Sequence, residues 1–277
     1  MLLILVPVLF QGCETINPAE EIPSYIRIDS VSLETTTGQG SNSHNITDAW
    51  MIAQGKSVGV FELPALFPVL PAGPKEIVVQ PGIKENGIAN TRVIYPFYQP
   101  YQVTLNLDPT DVDTIKPVFK YTSTTQFGFI ENFDGVALNF NATNNSQYPL
   151  ARTGDPAHVF EGDSSLRITF DAGEQLFEMM TTELFNLPRG RPIFLEMDFK
   201  CEAYVTVGIF AESQAQAIQQ PLVVLNLTDV WKKIYIEAGS LISGYNDFYS
   251  FRIFIGAQST AGGQSITLDN IKLLYLE

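Results

Sequence analysis

Basic residues are scarce. The 277-residue chain carries 16 Lys and Arg against 30 Asp and Glu, a formal net charge of -14. The few cations do not cluster, so no patch can neutralise a run of phosphates, and nucleic acid is excluded as a partner. The same imbalance argues against docking on anionic lipid through charge. Histidine is rarer still. His44 and His158 fall in different halves, which argues against a nucleophile–base pair or a zinc site built on them. The patterns GxSxG, P-loop and HExxH are missing, so the common hydrolase, NTPase and metalloprotease signatures do not apply. No apolar run reaches the ~20 residues that a membrane-crossing helix needs. Sustained helical period is missing as well.

What remains is material for sheets. Hydrophobic residues make up 45% of the chain, with 19 Phe and 11 Tyr. That is ample for packed cores and unlike a disordered composition. Single domains usually run ~100–200 residues, so two domains are expected.

The first ten residues, MLLILVPVLF, are uncharged and apolar. Their length suits the apolar region of a secretory signal rather than a bilayer span. The basic flank that usually opens a signal is absent, the first basic residue being Arg27. The run ends in Leu9-Phe10-Gln11-Gly12-Cys13, which resembles the lipobox of Bacteroidetes-type lipoproteins. Gly12 fits the pattern and Gln11 suits only its looser form. That resemblance implies a lipidated Cys13, with several acyl chains on one residue, enough for stable anchoring. It further implies an outer-membrane location, cell-surface or periplasmic. The polar stretch to Pro23 reads as a tether. A lipidated Cys13 leaves Cys201 without a disulfide partner.

Residues 24–122 alternate as strands do. Tyr25–Val31, Ala49–Ala53, Val58–Phe61, Lys75–Gln80, Tyr101–Leu107 and Val118–Tyr121 are expected strands. Gln54–Ser57 is expected to turn a hairpin, and Pro81-Gly82 to close a strand. The prolines at 64, 68, 71 and 74 are expected to keep their stretch out of any helix or central strand. The layout resembles PEGA-like and carboxypeptidase-regulatory-like sandwiches. Tyr95, Phe97, Tyr98 and Tyr101 read either as an exposed contact patch or, preferably, as a loop folded over the sandwich edge with its rings buried.

Thr122–Thr125 reads as a joint. Beyond it, Leu195 to Val207 alternates most cleanly, placing Cys201 in a core and Tyr204 outward. Glu196, Asp198 and Glu202 then share a face, expected to be solvated. Gln175–Phe185 also admits a short helix, weakened by Thr181-Thr182 and the flanking Gly173 and Pro188. The segments FIENFDG, EGDSSLRITF, WKKIYI and ITLDNIKLLYLE together resemble a galactose-binding-like jelly roll, the shape of many carbohydrate-binding modules. In that family a structural Ca2+ often sits at positions matching Glu131, Asp163 and Asp269; the other reading is that Asp269 caps or pairs near a strand end, and no other cofactor is expected. The full reading is all-β with two β-sandwich domains, the second a jelly roll: signal 1–12, anchor and tether 13–23, sandwich 24–122, jelly roll 123–277.

Sugar sites combine aromatic faces with polar neighbours in a concavity. Tyr204, the loop carrying Tyr245, Asn246 and Phe248, and Tyr148 beside Asn144 to Gln147 are the expected rim. Asp29-Ser30-Val31 and Asp113-Thr114-Ile115 resemble the Bacteroidetes O-glycosylation acceptor, which implies Ser30 and Thr114 as sites. The function expected is a non-catalytic envelope lipoprotein that binds or adheres to glycan. The alternative is an accessory subunit of an outer-membrane complex that binds protein.

Overall fold

A computed structural model describes residues 20–70 and 72–277, so Cys13 and the segment around it lie outside the described residues. The first part of the chain forms β1 (Ser24–Ile28), β2 (Ser32–Glu34), β3 (Asp48–Ala53), β4 (Lys56–Glu62), β5 (Ala65–Val69), β6 (Gly73–Lys84), β7 (Arg92–Ile94), β8 (Tyr101–Leu107), β9 (Val112–Ile115) and β10 (Val118–Lys120). The second forms β11 (Thr125–Glu131), β12 (Phe140–Ala142), β13 (Arg152–Thr153), β14 (Ser165–Thr169), β15 (Gln175–Thr181), β16 (Ile193–Cys201), β17 (Tyr204–Glu212), β18 (Ala217–Leu225) and β19 (Thr228–Glu237). A single-turn helix, α1 (Gly239–Ile242), then leads to β20 (Ser250–Ser259) and β21 (Ser265–Leu276). The fold is all-β, and no described helix is long and apolar enough to cross a membrane.

In the first body β4-β3-β6-β7 form one sheet, with β8 also paired to β6. β5-β1-β9 and β10-β2 complete it. The strands differ from expectation at the prolines. β6 runs through Pro74 and Pro81 while lying between neighbours on both sides. The register explains the tolerance. β8 pairs with Gly73 to Val79 and β7 with Gly82 to Lys84, so Pro81 falls in the gap, where no ladder donor is required. Pro68 sits in β5, at the edge of its sheet, the ordinary place for a strand proline.

The second body packs a six-stranded sheet, β13-β14-β21-β16-β19 with β11 beside β21, on a five-stranded sheet, β12-β15-β20-β17-β18. Its core fills with the inward residues of both sheets, including Leu195, Met197, Phe199, Cys201, Val205 and Val207. The alternation from Leu195 to Val207 therefore spans two strands and the corner between them. Gln175–Phe185 begins as strand β15, whose Phe177 and Met179 reach the core.

A second core cluster joins the two bodies. Ile26, Phe67, Val79, Tyr95, Phe97 and Tyr121 of the first body pack with Phe194, Tyr235 and Leu274 of the second. Tyr95, Phe97 and Tyr98 are buried, as the preferred reading has it, but they cover the outer face of the six-stranded sheet. Tyr95 meets Phe194 edge-on at 5.4 Å and Tyr235 at 4.7 Å.

Candidate functional site

With one sheet face covered by the first body, the five-stranded sheet keeps its outer face open. Alternation places Tyr204, Thr206, Gly208, Phe210 and Glu212 of β17 outward, and Arg252, Phe254, Gly256 and Gln258 of β20 beside them. The floor is aromatic, Phe254 and Phe210 lying 5.1 Å apart between ring centres. Gly208 is required there. A Cβ on it would stand 2.5 Å from the Phe254 ring and collide with the Gln220 carbonyl.

At one end of this face a cleft of about 730 Å³ opens between Asn145, Gln147, Glu174, Gln175, Glu202, Tyr204, Gln258 and Gln264. A second depression, over Glu178, Thr206, Gln219 and Phe254, shares Asn145, Leu176, Tyr204 and Gln258 with it. The two make one groove across the strands. Tyr204 stands over it with 63% of its surface exposed.

Several polar groups are already held. Glu178 accepts hydrogen bonds from Thr143 Oγ1 at 2.7 Å and Gln219 Nε2 at 2.8 Å. Gln147 Oε1 accepts from the Leu176 amide at 2.5 Å. The Tyr148 hydroxyl donates to Gln175 Oε1 at 2.9 Å and accepts from the Asp171 amide at 2.9 Å. Glu202 Oε2 accepts from the amide and hydroxyl of Ser265, at 2.9 and 2.8 Å. Gln258 and Tyr204 have no side-chain partner among the described residues and face the groove. Its hydrogen-bonding walls are thus fixed, and its centre is free.

The sequence-expected rim divides. Tyr148 and Tyr204 share this end of the sheet, since β15 pairs Gln175 with Ser259 and β17 pairs Tyr204 with Gln258. The loop with Tyr245, Asn246 and Phe248 lies at the other end, where Glu212 pairs with Ser250. Eight residue steps separate the ends, roughly 27 Å at strand rise. Tyr245 is tucked against Tyr249 and Phe251, while Asn246 and Phe248 are exposed, Phe248 at 85%. One rim containing all five residues is not formed. Gln219 escapes sequence reading because it stands beside Gln220 in β18, so period gives no side, Glu178 because its segment also admits a helix, and Gln258 because it follows the apolar run Ile253–Ala257 of β20.

Glu131, Asp163 and Asp269 are not gathered. Glu131 is buried and saturated by the amides of Phe133 and Asn139, at 2.8 and 2.7 Å. Asp163 is exposed, and its amide donates to Asp134. Asp269 accepts from Ser165 Oγ at 2.6 Å. Among the described residues no three His, Cys, Asp or Glu side chains are grouped to hold a metal. Ser30 and Thr114 are both exposed, Ser30 between β1 and β2 and Thr114 in β9. Cys201 is buried, and burial pushes its thiol up to about 11, so it is inert at neutral pH.

Glu196 and Asp198 correct the expectation of a solvated face. Both are buried under the first body. Glu196 meets Lys233 at 3.0 Å and accepts hydrogen bonds from Tyr95 at 2.8 Å and Tyr121 at 3.0 Å. Asp198 accepts from Ser43 Oγ at 2.7 Å. Lys272 donates to the Ser41 carbonyl at 2.6 Å and to the Tyr121 hydroxyl at 3.2 Å. Burial raises the Glu196 pKa, but Lys233 and Lys272 outweigh it and hold the carboxyl below its ordinary value. Lys233 is likewise opposed by burial and carried above its ordinary value by Glu196 and Asp198. Burial brings Lys272 down to about 8. The cluster is buried between the two bodies and serves as a seam.

No protein-family model and no curated protein matches the chain. Solved structures that resemble it include β-sandwich carbohydrate-binding modules described for promiscuous specificity (15% identity, 94% of this chain and 100% of theirs, TM-score 0.41). Another is the xylan-binding domain of a family 22 module, at 9% identity over 53% of this chain and 93% of that one, TM-score 0.39. A third is the family 11 module of Clostridium thermocellum bound to a mixed-linked tetrasaccharide, at 15% identity over 54% and 94%, TM-score 0.36. At such scores these resemblances carry no argument about what this chain binds.

Proposed function

We propose that this chain is a non-catalytic glycan-binding protein, and that it contacts sugar along the groove under Tyr204. The observation that carries the reading is the exposed Tyr204 ring beside the unpartnered Gln258 amide, in a groove walled by further amides. A flat aromatic face suits the C–H surface of a pyranose, and amides donate to and accept from its hydroxyls. Phe254 and Gly256 line the second depression and give a sugar ring an apolar surface close to the sheet. The carboxylate over the middle of the groove is unsuited to glycoside hydrolysis. Glycoside hydrolysis needs a free acid and a free base or nucleophile flanking the bond. Glu178, the carboxylate over the middle of the groove, is committed to Thr143, Asn145 and Gln219.

The setting we propose is the bacterial cell envelope, with the chain held by acyl groups on Cys13. This rests on the lipobox-like residues alone. Mass spectrometry of the native N-terminus tests it, a diacylated or triacylated Cys13 being the expected result. For the groove, affinity gel electrophoresis against mixed-linkage β-glucan, glucomannan, galactan and xylan is the direct test. Retardation by at least one polymer, lost in Tyr204→Ala, is expected. Retardation by none would remove the reading.

A further inference from the structure

Resting on the glycan reading, we propose that the groove is a charge filter: it admits uncharged glycan chains and excludes chains carrying uronate. The five strands of its sheet contain one basic residue, Arg252. That guanidinium lies away from the cleft, paired across to Phe210, six residues along β17 from Tyr204, and it lines neither depression. Its Nε meets Glu212 at 3.0 Å, and its Nη1 donates to the carbonyls of Thr181 and Thr182. The cleft under Tyr204 has no Lys, Arg or His in its lining, but three carboxylates face the groove, Glu174, Glu178 and Glu202.

A uronate carboxylate needs charge-assisted donors, typically a guanidinium or ammonium, to replace its water. The groove offers it none. It would instead sit near fixed carboxylates, a repulsion that works as discrimination against the wrong ligand. Neutral hydroxyls meet no such barrier, because each can donate to Glu202 Oε1 or accept from Gln258. Glu202 Oε1 is free because only Oε2 is used by Ser265. The overall charge of -14 adds a long-range term of the same sign.

The test uses one polymer in two charge states. A neutral glucan, glucomannan or galactan that binds is compared with the same polymer after oxidation of its primary alcohols to carboxylates. In ~20 mM salt the oxidised chain is expected to bind roughly tenfold more weakly, and raising salt to ~1 M should shrink the difference. In the Glu174→Gln/Glu202→Gln variant the ratio between the two polymers should narrow about fivefold, the size of one or two close charge contacts. Glu174→Gln alone, at an exposed site, should narrow it partly and guards against a misfolded double variant. Equal binding of both polymers overturns the filter and leaves glycan binding standing. A ratio unmoved by salt and by both variants also overturns it, since loss of the alcohol then explains the weakness. Silence towards every neutral polymer overturns the glycan reading, and the filter with it.

Discussion

Glu196 and Lys233 lie 3.0 Å apart, and neither side chain reaches solvent. Both belong to the second body, yet their cover comes from the first, through Tyr95 and Tyr121. With Asp198 and Lys272 they make a balanced quartet, two carboxylates against two ammonium groups. Removing one partner strands a buried charge. Lys233→Met is therefore expected to cost about 3–5 kcal/mol. Glu196→Gln/Lys233→Met should cost clearly less than the sum of the two single changes. Urea unfolding of the three variants measures both.

The seam also fixes how the molecule unfolds. Tyr95 packs on Phe194, Tyr235 and Tyr98 and donates to Glu196. The two bodies should melt in one calorimetric transition. Tyr95→Phe keeps the ring and loses the hydrogen bond to a charged group, an expected loss of about 1.5–3 kcal/mol. Tyr95→Ala opens the seam and should split the transition in two.

Two buried groups near the seam give opposite pH limbs. Burial pushes Asp269 up to about 7 from an unfolded value of 3.8. Its contribution is full below 3.8 and is lost as pH rises through 7. His44, lowered by burial and by Lys233, acts with the other sign near 6.5, so the difference between the parent and Asp269→Asn isolates the aspartate. That difference should grow from pH 4 to 7. Lys272, brought by burial to about 8 from 10.5, binds its proton less tightly folded than unfolded. Stability should rise with pH between those values, and Lys272→Met should flatten the rise. Denaturation midpoints taken across pH 4–10 check all three statements.

The groove floor depends on a missing side chain. Gly208→Ala forces Phe254 and the Gln220 carbonyl apart. Overpacking of this kind costs about 1–3 kcal/mol. Thermal unfolding should show that loss, and the variant should also bind glycan more weakly because the floor shifts.

Much of the second body was legible. Leu195, Met197, Phe199, Cys201, Val205 and Val207 announce a core face by period alone, and Tyr204 announces the opposite one. Glu196 and Asp198 misled for a physical reason. A strand's polar face reads as solvated unless something covers it, and their cover, Tyr95 and Tyr121, lies far away in sequence. The same distance hid the role of the aromatics at 95–98, whose burial was expected but whose partner was not. Pro81 inside β6 was illegible because its tolerance depends on where β7 and β8 meet. Residue type alone groups Tyr245 with Tyr204, and only the pairing of β17 with β20 shows that they sit at opposite ends.

Isothermal titration of the intact protein with the best neutral glycan, beside Tyr204→Ala and Gln258→Ala, bears most directly on the groove. Both side chains are free of internal partners, so both variants should keep the parent melting temperature. Each should bind at least about fivefold more weakly, the effect of losing ~1 kcal/mol of stacking or hydrogen bonding. Unchanged affinity in both variants, with the fold intact, would place the sugar elsewhere and contradict the account.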